Sequence, residues 1–372
     1  MSHYPSNSIL IQHLIHRIRH SAKAAIPFSA FMESCLYDPD GGYYMSDRPK
    51  IGKEGDFYTS SNVGSAMGEM IAVYIQRLAA EKGWAPDTFT IVEWGAGNGR
   101  LAGHINERMR RDRCSGYRYA IVEASPYHAQ LAKERLGGED CPVSWWTEAD
   151  YRREAGAGRL FVLANELLDA FPVERIRASD GQIEQCFVVW EEAEESFRPV
   201  WLPAEPEVLR WLKRYRIELP EGRICDAGIA MSGWLGTMLR HASDAEFIFI
   251  DYGDVTEELT AEHRVEGTLM CYHRHRAHDN PWIHIGEQDM TAMVDFSVCQ
   301  QAALEAGALI RNYMTQQAFL LEQGLLQELV DHAQPDPFSP EARRNRAIRQ
   351  LLLSDRLSER FRVLLLARHA SA

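Results

Sequence analysis

Two acidic residues and three glycines have the spacing in this sequence that most strongly indicates chemistry. Glu93 ends a short apolar run, and Gly95, Gly97 and Gly99 follow it at alternate positions. Glycine permits a tight turn and lets a ligand lie against the backbone, where a Cβ atom would clash. A second apolar run further along ends in Glu123. Helical spacing returns after the glycines, so the pattern predicts the strand, glycine turn and helix that open a nucleotide-binding α/β domain.

Two details favour S-adenosylmethionine over a dinucleotide as the ligand of this turn. Arg100 stands where a dinucleotide fingerprint requires a third small residue. The carboxylate of Glu93 would repel a pyrophosphate but would suit the ammonium group of a methionine moiety. Glu123, at the end of the next strand, is placed to accept hydrogen bonds from both ribose hydroxyls.

Polar residues also follow the strand predicted at 160–165, where Asn165 and Glu166 are followed closely by Asp169. An open α/β sheet binds its ligands at the carboxyl ends of its strands. These three residues are therefore the best-placed polar groups for catalysis. An alternative for Asp169 is an acid at a helix start, where the helix dipole favours negative charge.

Three histidines, His273, His275 and His278, suggest a metal site. No acidic or thiolate cluster stands near them at ligand spacing, so we expect a polar pocket or solvent around them and no metal.

Composition excludes several classes of protein. The chain has 372 residues, 45% of them hydrophobic and 25% charged, with a formal net charge of -13. Such a negative charge argues against a nucleic-acid partner, because phosphate binding requires a basic face. Seven cysteines are scattered without a CxxC pair, which indicates reduced thiols and a cytoplasmic location, or a mitochondrial one in a eukaryote. No apolar run is long enough to cross a bilayer.

The remaining elements predict an elaborated α/β fold. An amphipathic stripe before residue 20 predicts a first helix, although a mitochondrial presequence has similar composition. Parallel strands are expected near 89–93, 119–123, 143–146, 160–165 and 247–251, and an antiparallel closing pair near 308–313 and 361–366. We divide the chain into a helical cap with a cofactor flap, 1–88, and a Rossmann-like domain, 89–372. Residues 173–243, with a hairpin turning at 179–181, are an insertion and a candidate substrate subdomain.

Together these stretches resemble the MidA-like methyltransferases, whose mitochondrial members are complex I assembly factors that act as protein arginine methyltransferases. The matching segments are FMESCLYDPDGGYY, IGKEGDFYTSSNVGSAMGE, IVEWGAGNGRLAGHI, LANELLDAFPVERI, FIDYG, GTLMCYHRH and GEQDMTAMVDF. The resemblance implies a class I methyltransferase sheet with an N-terminal helical segment. It also implies that Asp56, Phe57 and Thr59 lie near the cofactor.

In the same family, Glu93, Gly95, Gly97 and Glu123 would hold S-adenosylmethionine, and Asn165 and Glu166 would lie beside the transferred methyl group. An arginine acceptor must be held by carboxylates. Glu166 and Asp169 are the first candidates for this role, and Asp289 is the third.

Three functions remain open at this point. The first is methylation of a protein or peptide, the second methylation of a small molecule, and the third a scaffold with little catalysis. The intact glycine turn with Glu93 and Glu123 counts against the scaffold. The sequence carries no signal of oligomeric state.

Overall fold

The computed structural model describes residues 8–48, 50, 64–137, 143–330, 336, 339–353 and 360–369. The helices are α1 (Ser8–His20), α2 (Phe28–Tyr37), α3 (Ala66–Glu81), α4 (Arg100–Arg111), α5 (Pro126–Leu136), α6 (Glu148–Ala155), α7 (Pro206–Tyr215), α8 (Ile229–His241), α9 (Thr256–Leu259), α10 (Phe296–Glu305), α11 (Gln316–Glu322) and α12 (Pro340–Leu353). Among these residues, no helix combines the length and the apolar character that a membrane span requires.

The strands are β1 (Ile26–Pro27), β2 (Phe89–Trp94), β3 (Arg118–Val122), β4 (Val143–Trp145), β5 (Arg159–Asn165), β6 (Glu174–Ser179), β7 (Gln182–Glu191), β8 (Ser196–Pro203), β9 (Ile224–Ala227), β10 (Asp244–Asp254), β11 (Met270–His273), β12 (Arg276–His278), β13 (Asp289–Thr291), β14 (Val294–Asp295), β15 (Leu309–Thr315) and β16 (Phe361–His369). The chain folds into two compact units, each assembled from separated segments. The hairpin unit combines Met1–Phe57, Leu168–Leu235 and Gly253–Ala302, and the sheet unit combines Tyr58–Leu167, Gly236–Tyr252 and Ala303–Ala372.

The sheet unit is built on a mixed β-sheet with the strand order β15-β16-β10-β5-β2-β3-β4. The five strands β4, β3, β2, β5 and β10 run parallel, whereas β16 is antiparallel to both β10 and β15. The predicted Rossmann-like sheet with an antiparallel closing pair is therefore confirmed.

Burial explains why these segments form this sheet. Every residue of β2 is buried, as expected for a parallel strand that is covered on both faces. Helix α4 buries Leu101, Ile105 and Met109, which recur every four residues on one face. The start of α5 has Pro126 in its first turn, and the side chain of Ser125 accepts a hydrogen bond from the His128 N–H.

The hairpin unit contains two small antiparallel sheets. In one, β1, β7, β6 and β9 lie side by side and β8 pairs with β7; in the other, β11 lies between β12 and β13. Asp180 and Gly181 form the turn between β6 and β7 with positive φ angles of 52° and 73°, and Ser179 pairs with Gln182 across it. The predicted hairpin with its turn at 179–181 is thus confirmed.

The N-terminal stripe packs inside the hairpin unit. Leu10, Leu14 and Ile18 of α1 belong to a buried cluster with Phe28 and Phe31 of α2, so the predicted first helix forms part of the fold. The predicted domain boundary at residue 88 does not coincide with the two units, because α3 and residues 64–88 group with the sheet. That domain division stays a prediction.

Candidate active site at the carboxyl edge of the sheet

The strand order of the sheet unit reverses direction between β2 and β5. From β2 the chain proceeds outward to β3 and β4, and from β5 it proceeds in the opposite direction to β10. In the register of the sheet, Trp94 pairs with Val122 on one side and with Ala164 on the other. The residues that follow these strands therefore emerge together at the carboxyl edge, at the switch point where open α/β sheets bind ligands.

The glycine turn after β2 has the backbone that only glycine adopts without strain. Gly95, Gly97 and Gly99 have φ angles of 67°, 55° and 73°. A Cβ atom added to Gly95 would lie 2.8 Å from Leu167 Cδ1, and one added to Gly99 would lie 2.9 Å from Ala132 Cβ. The turn is therefore packed from both sides, and its glycines are required by space as well as by dihedral angle.

Glu123 ties the glycine turn to the end of β3. Its Oε2 atom accepts a hydrogen bond of 2.8 Å from the Gly97 N–H, and its Oε1 atom accepts one of 2.8 Å from the Ser125 N–H. Burial raises the pKa of Glu123, and backbone N–H groups of Ser125, Gly97 and Ala124 oppose that rise. A carboxylate offers about four acceptor positions, so these backbone donors leave capacity for a further donor such as a ribose hydroxyl.

Glu93 is buried beneath the same turn, with 2% of its surface exposed. The hydroxyl of Tyr119 donates a hydrogen bond of 2.7 Å to Glu93 Oε2. Burial raises the pKa of Glu93 to about 7, the Tyr119 bond opposes this, and the charge of Glu123 adds to it. A cation beside such a carboxylate favours its charged form, and the predicted contact of Glu93 with the ammonium group stays a prediction.

Asn165 and Glu166 end β5 at the same edge. Asn165 Nδ2 donates a hydrogen bond of 3.1 Å to Glu166 Oε1. Asn165 Oδ1 is buried and has no hydrogen-bond partner within the part of the chain that the structure describes. Glu166 has a left-handed backbone with φ of 54°, a conformation that is uncommon outside glycine and clusters at functional sites. The pair thus presents oxygen acceptors at the switch point.

Asp169 and Asp289, the other predicted acids, lie in the hairpin unit. Asp169 and Asp289 are 6% and 2% exposed, and the Tyr44 hydroxyl donates a hydrogen bond of 2.9 Å to Asp289 Oδ1. The pKa of Tyr44 is raised well above its usual value, first by burial and then by neighbours that include both acids. The structure therefore brings these two acids together around Tyr44.

The predicted residues Asp56, Phe57 and Thr59 lie outside the described residues. Of the three histidines, His273 Nδ1 lies 3.0 Å from the backbone oxygen of Glu287, and His278 Nδ1 accepts a bond of 3.3 Å from the Asn280 N–H. Within the described ranges, the one group with metal-ligand spacing is formed by His13, Asp38 and Asp40.

Sequence reasoning missed two residues that form hydrogen bonds with the residues at this edge, Tyr119 and Asp251. Tyr119 gives no signal as a partner of Glu93, because the pairing depends on the register of β2 against β3. Asp251 follows the apolar run of β10 and is fully buried. The sequence signal that could have identified Asp251 is the one that identified Glu123, namely an acid directly after an apolar run.

Comparison with known proteins is consistent with this arrangement. Residues 69–314 match the family model of S-adenosyl-L-methionine-dependent methyltransferases. The chain is 26% identical over 340 residues to a Drosophila melanogaster protein named as a mitochondrial homolog of protein arginine methyltransferase NDUFAF7, with 84% of this chain and 75% of that protein covered. Protein arginine methyltransferase NDUFAF7 of Mus musculus, also named as mitochondrial, is 26% identical over 358 residues, with coverage of 87% and 77%.

A solved structure extends the likeness to the fold. A Burkholderia thailandensis protein, crystallised with S-adenosyl-homocysteine, is similar to this chain with a TM-score of 0.84 and 27% sequence identity, covering 99% of this chain and 96% of that one. The glycine turn, Glu123 and the strand order are those expected for the same cofactor. The chain therefore belongs to the family of S-adenosyl-L-methionine-dependent methyltransferases, and it is an enzyme that uses S-adenosyl-L-methionine.

Proposed function

We propose that this enzyme methylates the side chain of an arginine in a protein. The observation that carries the proposal is the pair formed by Asn165 and Glu166 at the end of β5, in which Asn165 Nδ2 donates to Glu166 Oε1 and the buried Asn165 Oδ1 has no hydrogen-bond partner within the described residues. Nitrogen acceptors such as guanidinium present N–H donors, which a carboxylate and an amide oxygen complement. The names of the Drosophila and mouse relatives support the same substrate class.

In this proposal the protein acts mainly by alignment. S-adenosyl-L-methionine supplies an electrophilic methyl group on a sulfonium, so a C–S bond breaks as a C–N bond forms. Glu166 accepts hydrogen bonds from the guanidinium, fixes its plane and draws positive charge away from the attacking nitrogen. Free guanidinium is too weakly acidic to lose a proton beforehand. The carboxylate of Glu166 therefore accepts the proton as the new bond forms.

The cofactor-binding roles belong to the same proposal. Glu123 accepts from the ribose hydroxyls, Glu93 faces the ammonium group, and Gly95, Gly97 and Gly99 let the ligand approach the backbone. Asp56, Phe57 and Thr59 are included near the cofactor only because the family resemblance implies it. Asp169 and Asp289 remain separate candidates, each to be tested by its own substitution.

The test is transfer of a labelled methyl group from S-adenosyl-L-methionine to protein in a lysate of the source cells. We expect label in arginine after acid hydrolysis of a protein fraction. Glu166→Gln should lower the rate by about 100-fold or more, the usual contribution of a positioned base. It should change the affinity for S-adenosyl-homocysteine by less than about threefold, because the carboxylate acts on the acceptor.

Glu134→Gln is the matched control, because Glu134 is an exposed glutamate of α5 that accepts a hydrogen bond from Gln130. Label in a low-mass fraction would show that the methyl acceptor is a small molecule and not a protein. Binding of S-adenosyl-homocysteine without transfer to any fraction would favour the scaffold. Wild-type rates in Glu166→Gln would reject the role of Glu166.

We infer a reducing compartment for the enzyme, cytoplasmic in a bacterium. Free thiols at the cysteines in the described residues support this inference. The animal relatives are named as mitochondrial. Fractionation of the source cells followed by immunoblotting tests the location.

A further inference from the structure

Asp251 connects β10, one residue beyond the part that pairs with β5, to the loop that follows β5. Its carboxylate is fully buried. The Oδ2 atom accepts a hydrogen bond of 3.1 Å from the Leu167 N–H, and the Oδ1 atom accepts one of 2.9 Å from the Tyr252 N–H. One side chain thus holds a backbone group of its own strand and a backbone group of a loop 84 residues earlier in the chain.

The loop residue next to this contact is Glu166. Its N–H donates a hydrogen bond of 2.8 Å to the backbone oxygen of Ile250. Two consecutive N–H groups of the loop therefore donate to two consecutive residues of β10. The left-handed backbone of Glu166, with φ of 54°, is strained for a residue other than glycine. Such a conformation persists only where the surroundings impose it.

The opposite side of the loop is also fixed. A Cβ atom on Gly95 would lie 2.8 Å from Leu167 Cδ1, so the Leu167 side chain packs closely on the glycine turn. Leu167 is therefore held by its backbone to β10 and by its side chain to the turn after β2. The peptide between Glu166 and Leu167 has little freedom to rotate while both contacts remain.

We propose that Asp251 is a positioning residue for methyl transfer, which sets the direction of the Glu166 carboxylate by holding the Leu167 N–H. This inference rests on the proposed function, since it requires Glu166 to act on the acceptor. Asp251 itself touches neither the acceptor nor the cofactor in this scheme. Its two oxygens are both acceptors, and the asparagine isostere can accept at one of the two positions only.

The test compares Asp251→Asn with a control on the same strand. Glu246 is also fully buried in β10, but its carboxylate pairs with Lys82 and Arg311. It lies five residues before Asp251, about 16 Å away at about 3.3 Å per strand residue. Glu246→Gln should therefore lower stability without disturbing the loop, and it controls for damage to the strand.

Rates are measured with labelled S-adenosyl-L-methionine and a dilution series of the lysate, at a temperature where all variants are folded by circular dichroism. Asp251→Asn should lower the maximal rate about tenfold, the order expected for one hydrogen bond to a charged group. The half-saturating concentration of S-adenosyl-L-methionine should change by less than about threefold. Glu246→Gln should keep the wild-type maximal rate.

A double-mutant cycle with Glu166→Gln separates positioning from general damage. If Asp251 acts through the Glu166 carboxylate, Asp251→Asn should lower the residual rate of Glu166→Gln by less than about twofold. Hydrogen exchange gives a second readout, in which the peptide containing Leu167 exchanges faster in Asp251→Asn and at the wild-type rate in Glu246→Gln.

The outcomes distinguish this inference from the proposed function. A wild-type enzyme that labels nothing, or a fully active Glu166→Gln, would overturn both. If Glu166→Gln is impaired while Asp251→Asn matches Glu246→Gln, or multiplies the defect of Glu166→Gln, the positioning role of Asp251 alone is overturned.

Discussion

The Tyr119 hydroxyl lies 2.7 Å from Glu93 Oε2 and donates a hydrogen bond to it, although the two residues belong to neighbouring parallel strands. The bond favours the charged carboxylate, but burial is the larger effect and raises the pKa of Glu93 to about 7. Near neutral pH the ligand-free enzyme is therefore a mixture of protonated and charged Glu93. A buried acid in this state makes both folding and ligand binding sensitive to pH.

Glu93→Gln should stabilise the ligand-free enzyme at alkaline pH. A carboxyl whose pKa is raised on folding contributes stability below its unfolded pKa, and this contribution is lost as pH rises through about 7. Glutamine keeps an acceptor for Tyr119 without the buried charge. We expect a gain of up to about 3 kcal/mol in the free energy of unfolding at pH 9 and little gain at pH 4. Urea titrations at both pH values measure this, and equal effects at both would contradict it.

Binding of S-adenosyl-homocysteine should release protons near neutral pH. With Glu93 facing the ammonium group, as proposed, that cation would lower the pKa of the carboxyl, so the charged form would bind more tightly and affinity would rise as pH increases through about 7. Calorimetry in buffers of different ionisation enthalpy counts the released protons. Glu93→Gln should lower the number of protons released on binding by the share that comes from Glu93. Unchanged proton release in this variant would show that the ammonium group does not bind beside Glu93.

Glu123→Ala should weaken binding of S-adenosyl-homocysteine by about 10- to 100-fold. In the proposed role of Glu123, the substitution removes the acceptors for the ribose. It also frees the Gly97 N–H, which Glu123 holds at 2.8 Å. Hydrogen bonds to charged groups are each worth about 1.5–3 kcal/mol. Calorimetry measures the affinity, and Glu134→Ala on the surface of α5 serves as control. An affinity within about twofold of wild type would exclude the ribose role.

Gly99→Ala should destabilise the sheet unit more than Gly83→Ala does. The two glycines have similar φ angles of 73° and 65°, so both substitutions incur the same backbone strain. A Cβ atom at Gly83 meets no atom within 4 Å, whereas one at Gly99 lies 2.9 Å from Ala132 Cβ. Overpacking adds about 1–3 kcal/mol at Gly99. Thermal unfolding of the two variants measures the difference. Equal losses of stability would show that helix α5 shifts to accommodate the Cβ atom at no cost.

The sequence predicts the parallel core of this fold well, because its strands are short apolar runs, three of which are closed by an acid. The runs before Glu93, Glu123 and Asp251 became β2, β3 and β10. The Asp180-Gly181 turn likewise identified its hairpin, since few residue pairs adopt two successive positive φ angles. These are local signals, each readable within about ten residues.

The rest depends on contacts between distant segments. The division into two interleaved units, the small sheet of β11–β13 and the pairing of Glu93 with Tyr119 are set by tertiary packing, which strand propensity does not determine. The left-handed backbone of Glu166 is of the same kind. The residue type of Glu166 and its sequence neighbours predict a polar group at a strand end. The dihedral angle, however, is imposed by the contact with β10.

The bonds from the loop after β5 to Ile250 and Asp251 also order events during synthesis. A ribosome completes the glycine turn and the loop well before it makes β10, 84 residues after Leu167. Until then the loop has no partner for its N–H groups, and closing so long a stretch of chain costs entropy and time. The nascent chain therefore completes its glycine turn early and fixes the loop after β5 late, when β10 has docked beside β5.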